Sequence, residues 1–222
     1  MINRFFTFEH KSKKMKILTI NSLKGGTSKS TLALNLYYYY SLIGKKVALT
    51  DSDPQGSLSE LFYESDREDV SFIYRDNLRD WQELREIRNI DLIIIDTAPY
   101  QMAELNSIFI ISDFILIPFL ASEFDLRAMN HTIALFYDAQ SVKKKLRGAL
   151  ILTKAIHGTK YNYAALQAVK NYDLPILKTQ MMQRIDYSRS ISEKEGIFST
   201  DNAKAKREIK KIGAEILKLW TT

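Results

Sequence analysis

Lys24-Gly25-Gly26-Thr27-Ser28-Lys29-Ser30-Thr31 stands between an apolar run, Lys16–Asn21 (KILTIN), and a helical pattern in which Leu32, Leu36, Tyr40 and Ile43 share one face. A glycine-lysine loop joining a strand to a helix decides the fold class. Backbone N–H groups at a helix start form a nest for anions, and glycine lets the main chain come close to phosphate oxygens. In such a loop Lys29 supplies a point charge to the β/γ-phosphates, and the Ser30 hydroxyl is a ligand for Mg²⁺. The ordinary phosphate-loop spacing is not met, because it asks for glycine where Leu23 and Ser28 stand. The residues fit the variant K-G-G-x-x-K-[ST], whose extra lysine is Lys24.

Two further segments carry the same signal. Asp51-Ser52-Asp53-Pro54-Gln55-Gly56-Ser57 follows the strand-like run Lys46–Thr50, and the run Leu92–Ile95 ends in Asp96, followed by Thr97-Ala98-Pro99. Each aspartate has a plainer use, Asp51 and Asp53 in a turn and Asp96 as a strand-end cap. Their order after successive strands favours a shared crevice. Carboxylates beside a triphosphate are costly unless Mg²⁺ and its waters lie between them.

Further apolar runs recur at Phe114–Ile117, Ala149–Thr153 and Ile176–Leu177 with its flanks, separated by helical patterns. Alternating strands and helices predict a single-domain α/β fold with a doubly wound, mostly parallel sheet and helices on both faces. The continuous apolar strands suit burial on both sides, and ligands bind such sheets at the carboxyl ends of the strands. Met15 is a second plausible start, so residues 1–14 are read as a basic, disorder-prone extension and 15–222 as the nucleotide-binding domain. Four consecutive tyrosines, Tyr37–Tyr40, are read as a helix meeting core and solvent rather than as a phosphorylation cluster.

With 222 residues, 45% hydrophobic and 26% charged, the chain has the composition of a globular protein with a sizeable core. It has no cysteine, which excludes disulfides, thiolate metal sites and cysteine nucleophiles and agrees with a cytoplasmic location. His10, His131 and His157 lie far apart without metal-ligand spacing. No apolar run reaches membrane-spanning length. The net charge of +6 is concentrated at the ends. Arg4, Lys11, Lys13 and Lys14 face only Glu9 at one end, and Lys204, Lys206, Arg207, Lys210, Lys211 and Lys218 outnumber Glu208 and Glu215 at the other. Such ends suit contact with a polyanion; a solvated helix face and a loose leader would look the same.

Together, KGGTSKST, DSDPQGS and IIIDTAP resemble the A, A′ and B motifs of the ParA/MinD group of deviant Walker ATPases. Ile111-Ser112-Asp113-Phe114-Ile115-Leu116-Ile117-Pro118 with Ser122-Glu123-Phe124-Asp125-Leu126 resembles the group's next strand and loop. Gln183-Arg184, Tyr187, Ile191, Gly196-Ile197-Phe198 and the closing helix are similar to the small ParF-type partition ATPases. The resemblance implies that Lys24 reaches the ATP of a partner subunit across a nucleotide sandwich dimer. It implies that Gly25, Gly26, Thr27 and Ser28 cradle phosphates, that Lys29 binds the β/γ-phosphates, and that Thr31 approaches the α-phosphate. Ser30 would hold Mg²⁺ directly, Asp51 and Asp96 would support it through waters, and Asp53 would position the attacking water. Two departures stand out: Ser28 replaces a usual glycine, and Met182-Gln183-Arg184 stands where many relatives carry Ile-Pro-Arg.

The function so implied is a slow, DNA-partition ATPase. It would form a homodimer in the ATP state, bind DNA non-specifically, associate with the nucleoid, and be stimulated by a ParB/ParG-like centromere-binding protein. Lys143-Lys144-Lys145 with Arg147, and the basic residues of the last helix, are candidate DNA contacts. One alternative is a MinD-like membrane-cycling positioning ATPase, which needs an amphipathic terminal helix free to enter lipid. Glu208–Trp220 has that pattern, but packing on the sheet explains it better, so a membrane partner is not expected. A module that reads nucleotide without turning it over is the third reading.

Overall fold

The computed structural model describes residues 15–53, 56–63, 71–99 and 102–221. The basic leader 1–14, Pro54-Gln55 and the side chains of 123–126 lie outside the described residues. Among the described residues six parallel strands form one sheet in the order β3-β2-β4-β1-β5-β6. They are β1 (Lys16–Ile20), β2 (Val47–Asp51), β3 (Phe72–Ile73), β4 (Leu92–Asp96), β5 (Phe114–Phe119) and β6 (Arg147–Leu152). The helices are α1 (Lys29–Leu42), α2 (Ser57–Tyr63), α3 (Met102–Ile111), α4 (Glu123–Val142), α5 (Lys160–Ala168), α6 (Ile185–Ser192) and α7 (Ala203–Thr221). The expected doubly wound fold is present, with every strand pair parallel.

Alternation along the strands divides the core. Leu18, Ile20, Leu49, Ile94, Leu116 and Ile151 face α1 and α7. Ile17, Ile93, Ile95, Ile115, Ile117 and Leu150 face α3, α4 and the 3-10 segment Trp81–Glu86. Helix α1 is buried on nearly all sides because α7, α6 and the sheet enclose it. Ile43 departs from the expected apolar face: it caps α1 and is half exposed.

The tyrosine run is structural, and each ring serves a different segment. The Tyr37 hydroxyl accepts the Ser71 N–H, Tyr38 donates to the Lys194 carbonyl at 2.7 Å, and Tyr40 donates to the Gly213 carbonyl at 3.1 Å. Tyr39 lies so close to Gly213 that a Cβ there would fall 2.3 Å from its ring.

Two expectations are corrected. Ile176–Leu177 forms an isolated bridge, Leu150 to Ile176, rather than a strand, and the sixth strand is the two-residue β3. Lys143 is not a free surface lysine: its Nζ donates to the carbonyls of Ile111 and Ser112 and pairs with Asp113. Lys144, Lys145 and Arg147 remain exposed.

The apolar stripe of α7 is spent on packing. Ala205, Ile209, Ile212 and Ile216 are fully buried against the core that contains α1, each isoleucine contributing about 1.5–3 kcal/mol. Lys204, Arg207, Lys210, Lys211 and Lys218 are exposed on its outer side. Among the described residues no helix is long and apolar enough to cross a membrane.

Candidate functional site

The loop Asn21–Ser28 leaves β1 at the carboxyl edge of the sheet and turns into α1. Gly26 takes φ 75°, and Ser28, the N-cap of α1, takes φ 68° and ψ 27° without a side-chain capping bond. An L-residue in this left-handed region costs about 1–2 kcal/mol relative to the right-handed one. Ser28 therefore sits in a backbone state that glycine adopts freely, which gives physical form to its departure from the family pattern.

Short polar side chains staple the loop to its neighbours. Asn21 Nδ2 donates to Thr97 Oγ1 at 2.7 Å, and Thr97 Oγ1 donates to the Ile20 carbonyl, joining β1 to β4. The Ala98 N–H donates to Ser52 Oγ at 3.2 Å, joining β4 to β2. Thr153 Oγ1 lies 3.1 Å from the Thr27 carbonyl and 3.2 Å from that of Phe119, joining β6 to the loop.

A cleft of about 760 Å³ opens along these strand ends. Gly25, Gly26, Ser28, Lys29, Ser30, Thr31, Asp53 and Asp96 line one part of it. Lys154, Met181, Met182, Gln183, Arg184 and Tyr187 also line it. Thr27 is buried, with its hydroxyl donating to the Lys24 carbonyl. Lys24 and Asp51 do not line the cleft. Asp51 stands behind it, in register with Asp96 across the β2–β4 pair.

The charges are out of balance in an informative way. The Asp51 carboxylate accepts N–H bonds from Asp53 at 2.9 Å, Leu58 at 3.1 Å and Ser59 at 3.4 Å. Gly56 makes this possible, since a Cβ there would fall 2.3 Å from the Asp51 carboxylate. Burial still raises the Asp51 pKa, and Asp53 adds to the rise. Asp96 is pushed up to about 8 by burial and then by Asp51, against hydrogen bonds from Ser30 and the Thr97 N–H and the charge of Lys29. Burial lowers the pKa of Lys29, while Asp96, Asp53 and Asp51 oppose the shift. Two buried carboxylates that repel each other beside a serine hydroxyl can take a hard divalent cation. Among the described residues no cluster of three or more His, Cys, Asp or Glu could hold a metal alone. The hydroxyl of Ser30 and the carboxylates of Asp51 and Asp96 are hard oxygen donors and fit Mg²⁺, which usually completes its shell with waters and ligand phosphates.

The sequence reading missed Lys154, Asn21, Ser52 and Thr153. Lys154 carried a usable signal, a charged residue directly after an apolar strand, as with Asp96. The staples carried none, because their partners are 34 to 126 residues away in the chain.

An anion-binding loop at the central strand of a parallel sheet, with paired carboxylates at the adjacent strand ends, defines a phosphate-loop nucleotide-binding protein. The model of the CobQ/CobB/MinD/ParA nucleotide binding domain matches residues 18–197, and the chain belongs to that family. The chain is 31% identical over 192 residues to the maintenance of carboxysome distribution protein A of Halothiobacillus neapolitanus, covering 84% of this chain and 88% of that protein. The fold is shared with McdA of Cyanothece in its ATP complex, with TM-score 0.72, 16% identity, and 93% and 98% of the two chains covered. A plasmid partition protein of Borrelia burgdorferi shares it at TM-score 0.69, 22% identity, and 93% and 99% coverage. The ParA/MinD affiliation expected from the three motifs holds.

Proposed function

We propose that residues 15–222 form an ATP–Mg²⁺-dependent DNA-partition ATPase, cytoplasmic and nucleoid-associated in its ATP state. The observation that carries this reading is the convergence of Lys29, Ser30, Asp53 and Asp96 on one cleft, with Asp51 directly behind. In it Gly25 to Ser28 and Thr31 cradle the phosphates, and Lys29 neutralises the β/γ-phosphates. Ser30, Asp51 and Asp96 would hold Mg²⁺, which would supply charge neutralisation at the transferring phosphoryl group. Asp53, on the cleft wall, orients the attacking water, and slow hydrolysis follows from positioning alone. Lys24, outside the cleft of its own subunit, serves the nucleotide of a partner subunit, so that dimerisation reports ATP.

DNA binding falls to the exposed basic face of α7, Lys204, Arg207, Lys210, Lys211 and Lys218, because phosphate contacts supply most non-specific affinity. A ParB/ParG-like centromere-binding partner would stimulate hydrolysis and release the dimer. The likeness to a carboxysome-distribution protein favours a second version of the same cycle, in which the dimer positions a protein-bound cargo on DNA instead of a replicon. Burial of the α7 stripe weighs against membrane cycling.

The test measures binding to arbitrary duplex DNA and to anionic liposomes, with ATP–Mg²⁺, ADP or no nucleotide, across a salt series. Salt-sensitive DNA binding with ATP only, lost in Lys24→Ala and Lys29→Ala, is the expected result. ATP-dependent liposome binding with indifference to DNA would sink the proposal.

A further inference from the structure

We propose that Lys154 is a third nucleotide-contacting lysine, acting on the part of the ligand that ADP and ATP share. The inference rests on the nucleotide reading above and extends it to a residue outside the three motifs.

Lys154 follows the end of β6 with φ 49°, a conformation that side-chain-bearing residues rarely adopt. The backbone on either side is fixed. The Thr153 N–H donates to the Phe119 carbonyl at 2.9 Å, and the Thr153 hydroxyl reaches the Thr27 carbonyl. On the other side the Ala155 N–H donates to the Met181 carbonyl at 3.0 Å, and the Gln183 N–H returns to the Ala155 carbonyl at 2.9 Å. The left-handed residue is thus held between the phosphate loop and the Met181–Gln183 wall, and both border the same cleft. Its ammonium lies 4.0 Å from where a Cβ at Gly26 would stand. At that distance the ammonium sits in ordinary contact range of the phosphate loop.

Two other cations of the sheet's surroundings have protein partners. Arg184 is engaged by Glu208, and Lys143 by Asp113. Among the described residues Lys154 makes no ion pair, and it is exposed to the cleft. A positive charge held by a strained backbone next to an anion nest, without a protein counter-charge, fits an anionic ligand. Its place beside Gly26 and next to the Met181–Gln183 wall assigns it to the diphosphate where it meets the sugar. The Lys154 stem then covers the sugar end, and its ammonium donates to a phosphate oxygen.

Calorimetric titration of ADP–Mg²⁺ and ATP–Mg²⁺ into wild type, Lys154→Met, Lys154→Arg and Lys160→Met tests this. Methionine keeps the bulk and the same left-handed cost, so the unliganded melting temperature should stay at the wild-type value. The expected result is about tenfold weaker binding of both nucleotides to Lys154→Met, as for loss of one charge-assisted bond. Lys154→Arg should recover part of the loss, and Lys160→Met, an exposed neighbour outside the cleft, should bind as wild type. Equal affinity of Lys154→Met and wild type overturns the assignment, as does a loss confined to ATP. Failure of wild type to bind either nucleotide overturns the nucleotide reading itself, and Lys154's role with it.

Discussion

The two ends of this sheet bury the same kinds of charge and treat them in opposite ways. At the amino end, where β1 and β5 begin, Asp113 pairs with Arg85 at 2.9 Å and Lys143 at 3.3 Å and accepts the Ile17 N–H at 2.9 Å. Burial alone would raise its pKa, but the hydrogen bond and charge of Arg85, the Ile17 N–H and Lys143 outweigh burial and hold it below the usual carboxylate range. At the carboxyl end Asp51 and Asp96 face each other in adjacent strands, and both are pushed up. A structural ion cluster is closed on itself. A binding site is left incomplete, because the remaining charge arrives with the ligand.

The same isosteric change should therefore have opposite signs at the two ends. Asp113→Asn leaves Arg85 and Lys143 short of a counter-charge in a mostly buried cluster. It should destabilise the fold by about 2 kcal/mol, measured by urea unfolding, without changing nucleotide affinity. Asp96→Asn removes a carboxylate that the fold disfavours, and should stabilise the metal-free protein by about 1–2 kcal/mol at pH 9 while abolishing Mg²⁺-dependent ATP turnover. Equal signs for the two variants would break the comparison.

The pH dependence of the parent protein sharpens it. The folded pKa of Asp113 lies below its unfolded value near 3.9, so the stability it lends is present above that value and lost as pH falls through the folded pKa. Asp96 runs the other way. Its folded pKa of about 8 exceeds the same unfolded value, so the folded state holds a proton that the unfolded state lacks, and stability falls as pH rises between them. Urea midpoints from pH 5 to 9 should decline in wild type and decline less in Asp96→Asn.

The smallest effect concerns the loop itself. Ser28→Gly relieves the left-handed cost of about 1–2 kcal/mol but adds unfolded-chain entropy of about 0.5–1 kcal/mol, so a gain of roughly 0.5 kcal/mol is expected by thermal melting. A clear destabilisation would mean that Ser28 earns its place through its side chain.

Much of this was legible in the chain, and the exceptions share a cause. Five of the six strands are continuous apolar runs ended by a loop residue, and Lys29, Ser30, Asp53 and Asp96 each sit directly at an element boundary, where local pattern suffices. Strand β3 has two half-buried residues, Phe72 and Ile73, and no periodicity can reveal so short an element. Lys143 read as a surface lysine because its neighbours are lysines. Only the fold brings Asp113 beside it, 30 residues away. Gly56 was visible as part of a motif, but its purpose, room for the Asp51 carboxylate, depends on a backbone turn. The membrane-like stripe of α7 was ambiguous for the same reason, since an amphipathic face does not say what covers it.

The central claim is that the carboxyl end of the sheet holds uncompensated carboxylates for a cation that arrives with the nucleotide. Its most direct test is the melting temperature of wild type at pH 8 with ATP in EDTA, with Mg²⁺ alone, and with both. The account predicts a shift with both that exceeds the sum of the separate shifts, because each ligand supplies charge the other needs. A combined shift no larger than that sum would contradict it.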